Sequence, residues 1–265
     1  MSQKLTILFD LDGTLVNTAP DLMHAHNYVM KKYGFDERKL SDIKKLAGRG
    51  SKVMLKKSMH EIAELSGKIK NTDDVVEKMT KEFIDFYSKN IAKESTLKNG
   101  LIDFLSWCKK NSISMAVCTN KQEHLSIDLL KKIKIYDFFD YVAGGNTFNH
   151  NKPNPKHLTD TKEIIGGDIN KTLMIGDSET DANASKAANI PFVLIEDGYT
   201  EKKINEIYHD YLVKDFVGGL QASFGYAGAK NIKTLWETSS LGQITGVGSD
   251  ELKPHNIILP GEDKY

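Results

Sequence analysis

The 265-residue chain has little that would place it in a membrane or on nucleic acid. Its 36 Lys and Arg residues balance 36 Asp and Glu residues, so charge gives no reason to expect nucleic acid or an anionic membrane as a partner. No run of about 18 apolar residues occurs, so no transmembrane helix is predicted. The N-terminus enters an apolar strand directly and shows no secretory signal pattern.

Cysteine and arginine are also scarce. Cys108 and Cys118 are the two cysteines. Each lies in an apolar segment, so we expect two reduced core residues and a cytoplasmic protein. Arginine occurs at positions 38 and 49, and every other basic residue is lysine. This bias makes each arginine informative and each lysine uninformative by itself.

The order of predicted elements indicates an α/β fold. An apolar strand at residues 5–9 precedes a stretch with helical periodicity, and helices alternate with strands from residue 100 onward. Repeated β-α units imply a doubly wound parallel sheet of the Rossmann-like kind. We therefore predict a core formed by residues 1–14 and 97–217, an inserted helical cap at 15–96 and a glycine-rich C-terminal appendage at 218–265. His24 and His26 are interpreted as polar-face or rim residues of the first cap helix.

The most informative motif is Asp10-Leu11-Asp12-Gly13-Thr14, directly after the first strand. Ligands gather at the carboxyl ends of strands in an open α/β sheet. Two neighbouring carboxylates are electrostatically unfavourable unless a cation neutralises them. The motif thus predicts a Mg²⁺ site with one carboxylate free to attack a substrate.

Three further segments fall at predicted loops near the same edge. Thr119-Asn120-Lys121 ends a strand, where a hydroxyl, an amide and a helix N-terminus can bind phosphoryl oxygens. Lys152 lies in a polar loop and is unremarkable in so lysine-rich a chain. Gly176-Asp177-Ser178-Glu179-Thr180-Asp181 follows another apolar strand and offers further cation ligands. Together these groups suit phosphoryl transfer through an aspartyl phosphate.

In order and spacing, these four motifs resemble the signature motifs of the haloacid dehalogenase-like hydrolase superfamily. Within it, the segments around residues 117–121, 144–155 and 197–200 are similar to the phosphoglycolate phosphatase family. The resemblance implies an Mg²⁺-dependent phosphatase that acts on a small phosphorylated metabolite, most simply 2-phosphoglycolate. Other sugar-phosphate or nucleotide phosphatases and phosphomutases of the superfamily remain alternatives, and a monomer or homodimer is expected.

The resemblance also assigns roles. Asp10 is the nucleophile and Asp12 the acid and base, while Thr119 and Lys152 act on the phosphate. Asp12 also separates this chain from dehalogenases, because a halide leaves without a proton whereas an alkoxide needs one. The implied metal ligands are Asp10, Asp12, Asp177 and Asp181. The implied substrate-binding residues of the core are Gly13 and Asn120.

The cap segment Gly48-Arg49-Gly50 is the candidate for substrate selection. Glycines let the backbone approach a small ligand, and an arginine offers a two-pronged donor to a carboxylate. A helix-start arginine that faces solvent is an equally weighted alternative for Arg49.

The C-terminal appendage has a separate resemblance. Residues 218–258 are similar to the C-terminal end of IMP dehydrogenase, but this stretch lacks that family's cysteine loop and is too short for its barrel. We predict no dehydrogenase activity and favour a fused remnant. The alternative from another class is a purine-nucleotide-binding or scaffolding protein that works through the tail.

Overall fold

The computed structural model describes residues 5–48, 50–66 and 72–216. The appendage predicted at 218–265 and its likeness to IMP dehydrogenase therefore lie outside the described residues. The main sheet has six parallel strands, which are β1 (Thr6–Phe9), β4 (Ser114–Cys118), β5 (Tyr141–Ala143), β6 (Thr172–Gly176), β7 (Phe192–Ile195) and β8 (Tyr211–Val213). Their order across the sheet is β5-β4-β1-β6-β7-β8.

The sheet is central because its strands are apolar on both faces. Every residue of β1 is buried, as expected of a parallel strand covered on both sides. Phe9 at its end pairs with Val117 of β4 and with Ile175 of β6. The chain therefore leaves three neighbouring strands at one edge of the sheet, and the residues that follow each strand meet there.

Helices flank this sheet and confirm the predicted doubly wound α/β architecture. Buried apolar side chains form two clusters, one on each side of the sheet, and the larger cluster extends into the helical segment between β1 and β4. These helices are α5 (Leu101–Lys110), α6 (Glu123–Lys132), α7 (Lys156–Ile164) and α8 (Glu179–Ala188). Cys108 and Cys118 are buried free thiols, as the sequence predicted.

A helical insertion joins β1 to the rest of the core. Its helices are α1 (Ala19–Lys32), α2 (Ile43–Leu46), α3 (Ser51–Ser66) and α4 (Thr72–Asn90). Two short strands, β2 (Val16–Asn17) and β3 (Thr96–Leu97), pair antiparallel where the chain enters and leaves the insertion. The buried Asp21 carboxylate also accepts hydrogen bonds from the backbone N–H groups of Glu94 and Ser95. The two segments through which the chain enters and leaves the insertion are thus held side by side.

One side-chain expectation in the insertion is wrong. His24 is exposed, but His26 is fully buried and its Nε2 lies 2.9 Å from the Ser58 hydroxyl of α3. Burial lowers the pKa of His26 below its usual value. The helical face that carries His26 therefore packs on α3 instead of facing water.

Among the described residues, no helix is long and apolar enough to cross a bilayer.

Candidate active site

Three acidic side chains meet at the edge where β1 and β6 end. The carboxylates of Asp10, Asp177 and Asp181 offer oxygen atoms that all lie within 4.8 Å of one another, and all three residues are buried. Asp10 is fixed by its backbone, whose N–H donates to the Ile175 carbonyl at 2.9 Å. Parallel pairing of β1 with β6 is what brings these distant parts of the sequence together.

Lys152 lies inside this acidic cluster. Its Nζ donates to Asp10 Oδ1 at 2.6 Å and to Asp181 Oδ1 at 2.5 Å, and its side chain is 1% exposed. The structure thus places the polar loop of residues 149–155 against the end of β1. An ammonium ion at this position offsets part of the charge of the acidic cluster.

The cluster remains short of positive charge. Burial raises the pKa of Asp10 to about 7, and although Lys152 lowers it, Asp181 raises it again. Burial and the neighbouring Asp10 and Asp181 carboxylates likewise raise the pKa of Asp177 well above its usual range. A divalent cation would reverse this penalty, because an opposite charge favours the charged form of a carboxylate. The donor set of buried carboxylate oxygens therefore fits a hard cation such as Mg²⁺.

Asp177 and Asp181 differ in which groups donate hydrogen bonds to them. Asp181 Oδ2 accepts from the Ser178 hydroxyl at 2.7 Å and from the Ser178 N–H at 3.1 Å, which caps the first turn of α8. Asp177 accepts from Thr14 Oγ1 at 3.1 Å and from the Tyr199 N–H at 2.6 Å. Asp181 is thus tied to Lys152 and the helix cap, whereas Asp177 is oriented by loops from two other strands.

Gly13 makes room for Asp177. Its φ is +93°, and a Cβ built on it would lie 2.2 Å from Asp177 Oδ2. A side chain at this position would therefore strain the backbone and displace the carboxylate. The glycine of the first motif is needed for the close approach of two loops.

Asp12 points away from the acidic cluster. Its Oδ1 accepts from Thr18 at 2.7 Å, and Lys121 Nζ donates to both of its carboxylate oxygens at 3.0 Å. Burial alone lowers the pKa of Lys121, but Asp12 and the Tyr87 hydroxyl raise it above its usual value. The sequence motif that contains Lys121 indicates no role for this residue, and the only signal in the sequence is its place directly after Thr119 and Asn120.

Thr119 and Asn120 lie between the acidic cluster and the insertion. Thr119 is buried, and its Oγ1 accepts from the Lys121 N–H at 3.3 Å. Asn120 Nδ2 donates to the Gly48 carbonyl at 3.1 Å and to the Lys152 carbonyl at 2.9 Å. Asn120 therefore joins the core to the insertion segment that contains Gly48, which is the candidate for substrate selection identified from the sequence.

A cavity of about 70 Å³ opens between these groups and the insertion. A single water needs roughly 10–15 Å³ by the same measure, so the cavity suits a ligand of a few heavy atoms. Gly48 and Gly50 line it, whereas Arg49 lies outside the described residues. Other lining side chains come from both the core and the helical insertion, among them Asp10, Asp12, Leu22, Met54, Phe83, Tyr87, Thr119, Asn120, Lys121 and Leu125.

Tyr199 is a second residue that received no role from the sequence. Its N–H donates to Asp177, as noted above, and its hydroxyl lies 2.8 Å from both the Ala19 N–H and Asn17 Oδ1. The hydroxyl accepts from Ala19 and donates to Asn17. One residue thus connects an acidic side chain of the cluster to the entry of the insertion.

Comparison with known proteins places the chain in a family. A family model described as haloacid dehalogenase-like hydrolase matches residues 7–195. A phosphoglycolate phosphatase of Mesorhizobium japonicum is 34% identical over 210 residues, which cover 79% of this chain and 90% of that protein. One of Caulobacter vibrioides is 34% identical over 213 residues, covering 80% and 87%.

Solved structures agree with this placement. A structure described as a predicted phosphoglycolate phosphatase from Haemophilus somnus superposes with a TM-score of 0.78 at 26% identity, covering 84% of this chain and 99% of that one. The β-phosphoglucomutase of Clostridium difficile shares the fold at 20% identity, with a TM-score of 0.66 and coverage of 88% and 97%. The chain belongs to the haloacid dehalogenase-like hydrolase family. The predicted enzyme class, a phosphoric monoester hydrolase, is confirmed by this family and these relatives.

Proposed function

We propose that the protein hydrolyses a small phosphate monoester through an aspartyl phosphate on Asp10. The observation that carries the proposal is the buried Asp10 carboxylate at the end of β1, with the Lys152 ammonium 2.6 Å away and a small cavity in front of it. A nucleophilic carboxylate needs nearby positive charge before it can approach a phosphate dianion. Lys152 supplies part of that charge.

A Mg²⁺ ion is the proposed source of the remaining charge. The carboxylates of Asp10 and Asp177 and the backbone carbonyl of Asp12 would hold it, with Asp181 in support. When bound, the ion offsets negative charge on the phosphoryl oxygens. The raised pKa values of Asp10 and Asp177 support this proposal, because they arise from burial and from neighbouring carboxylates, which a bound cation would offset.

The residues of the chain then divide the reaction into two steps. An Asp10 oxygen bonds to phosphorus as the bond to the ester oxygen breaks, and Asp12 gives its proton to the leaving alkoxide. Asp12 next takes a proton from a water that attacks phosphorus, which releases phosphate and restores Asp10. Thr119, Asn120 and Lys152 bind the phosphoryl oxygens, and Gly13 lies with them in the substrate-binding part of the core.

We propose 2-phosphoglycolate as the substrate. The support is the identity to two phosphoglycolate phosphatases and a cavity of about 70 Å³ beside Asp10 that has room for a small ligand. We propose that Arg49 and the flanking Gly48 and Gly50 contribute to selection from a cap domain at 15–96, over a core of 1–14 and 97–217. A cytoplasmic location and a monomeric or homodimeric state remain predictions.

A phosphate-release screen tests this function. Small phosphorylated acids, sugars and nucleotides are offered with Mg²⁺ and with EDTA, and 2-phosphoglycolate should be hydrolysed fastest and only with the metal. The isosteric Asp10→Asn should have no turnover, while Asp12→Asn should lose about 10²–10⁴-fold. Asp36→Asn, which changes an exposed carboxylate, serves as the matched control. Conversion of a sugar phosphate into its isomer without phosphate release would instead identify a mutase.

A further inference from the structure

We propose that Lys121 and the Tyr87 hydroxyl form a subsite for a carboxylate of the substrate, and that the Asp12 side chain fills this subsite until substrate arrives. The inference rests on the proposed function and extends it to the choice of substrate. It assigns a binding role to a lysine of the core, close to the reacting atoms.

Charge singles out Lys121 in the cavity. In the part of the chain that the structure describes, it is the one positively charged side chain among the lining residues. The neighbouring lining from Leu22, Met54 and Phe83 is apolar and offers an anion no hydrogen bond. A carboxylate that enters this cavity therefore finds its charge partner at Lys121.

Lys121 is also held in place before any ligand binds. Its side chain is 5% exposed, and its Nζ lies 4.4 Å from the centre of the Tyr87 ring. A cation over an aromatic face is attracted to it, more strongly where water is excluded. Such a preorganised ammonium loses little conformational freedom when it binds an anion.

Tyr87 adds an unsatisfied polar atom. Its hydroxyl is buried on α4 of the insertion and borders the cavity, and among the described residues no group accepts a hydrogen bond from it. Buried hydroxyl groups are normally hydrogen-bonded, so an exception next to a cavity calls for a ligand. A carboxylate on Lys121 would accept this hydroxyl as its second donor.

The bond between Lys121 and Asp12 shows that the subsite accepts a carboxylate. Lys121 contacts both Asp12 oxygens at 3.0 Å, so Asp12 occupies the position that a substrate carboxylate would take. While it stays there, Asp12 is turned toward Lys121 instead of toward a leaving oxygen. A substrate carboxylate can replace it without leaving the buried ammonium unpaired, and Asp12 is then free to turn.

The chemistry of phosphoglycolate matches this exchange. Its carboxyl carbon is two bonds from the ester oxygen, so a group that holds the carboxylate must lie close to the residue that protonates that oxygen. Lys121 and Asp12 are in direct contact and meet this requirement. A substrate without the carboxylate would leave Asp12 paired to Lys121 and would react more slowly.

The test compares two substrates that differ in this one group, 2-phosphoglycolate and 2-hydroxyethyl phosphate. With Lys121→Met, kcat/KM for phosphoglycolate should fall about 10- to 100-fold, mainly through KM, as expected for the loss of a charged hydrogen bond. The value for hydroxyethyl phosphate should stay the same or rise, because Asp12 is released. Lys131→Met is the matched control, since Lys131 also lies over a tyrosine ring but is exposed and away from the cavity.

A second variant covers the case in which Lys121→Met does not fold. Tyr87→Phe keeps the ring under Lys121 and removes only the hydroxyl, so KM should rise for phosphoglycolate alone. An equal loss for both substrates in either variant would overturn the subsite and assign these residues to Asp12 or to the fold. If the unchanged protein hydrolyses neither ester, the proposed function itself is wrong. If the variants hydrolyse both esters with the same preference as the unchanged protein, the function stands and the subsite is wrong.

Discussion

Replacement of Lys152 by methionine is expected to destabilise the protein in a pH-dependent way. Lys152 is buried between Asp10 and Asp181 and donates a short hydrogen bond to each. Methionine keeps much of the aliphatic volume and removes the charge. The change therefore leaves the buried carboxylates with no ammonium partner and tests the electrostatics of the cluster with little change in packing.

The magnitude follows from the burial of the pair. Removal of one partner from a buried ion pair typically lowers the free energy of unfolding by about 3–5 kcal/mol. We expect this loss to be largest at pH 8, above the pKa of Asp10 in the unchanged protein. The pKa of Asp10 is already raised to about 7 with Lys152 present, and removal of the ammonium must raise it further.

The sign of the pH dependence follows from this raised pKa. A folded carboxyl group with a raised pKa holds a proton that the unfolded chain releases above about pH 4, so acidification favours the folded state. The variant gains more from this proton uptake than the unchanged protein. The difference in stability should therefore shrink as the pH falls from 8 to 5.

Urea unfolding in the presence of EDTA at several pH values measures the effect. Lys156→Met, which changes an exposed lysine in the same region, provides the control and should remain close to the unchanged protein. A Lys152→Met protein as stable as the parent at pH 8 would refute the reasoning. A deficit that grows on acidification would refute it as well.

Three further predictions concern the same site. Mg²⁺ should raise the melting temperature more at pH 8 than at pH 6, because Asp10, with a pKa of about 7, must lose its proton to bind the ion; an equal shift would contradict this. Gly13→Ala should weaken Mg²⁺ binding, as measured by calorimetry, and should lower the free energy of unfolding by about 1–2 kcal/mol or more. Gly34→Ala is the control, because Gly34 also has a positive φ but no close neighbour, so this variant should be destabilised without a change in Mg²⁺ binding. Tyr199→Phe removes the hydroxyl and its two hydrogen bonds, so the free energy of unfolding, measured in urea, should fall by about 1 kcal/mol. An unchanged stability would contradict the importance of these hydrogen bonds.

The sheet and its edge could be predicted because their sequence signals are local. Buried parallel strands are short apolar runs, and the chemistry-bearing residues follow each run directly. α6 (Glu123–Lys132) belongs to the predicted alternation of helices and strands after residue 100 for the same reason, since its apolar spacing is helical. The parallel order of the strands then brings Asp10 and Asp177 together without further information.

Contacts between distant parts of the chain could not be predicted in this way. Lys121 meets Asp12 across 109 positions of sequence. Lys152 meets Asp10 across 142 positions, and its place at the site was implied by the family resemblance and not by any local pattern. In a lysine-rich chain, composition does not distinguish these two buried lysines from the exposed ones. The two-residue strands β2 and β3 are too short for any periodicity, and His26 is buried because α3 covers it, which the pattern of α1 alone does not show.

The central claim is that Asp10 carries the phosphoryl group during turnover. Acid quenching of a reaction with excess phosphoglycolate and Mg²⁺, followed by peptide mapping by mass spectrometry, tests this directly. We expect a phosphorylated peptide that contains Asp10, absent without substrate and absent in Asp10→Asn. Steady hydrolysis with no phosphorylation of that peptide, or hydrolysis that persists in Asp10→Asn, would contradict it.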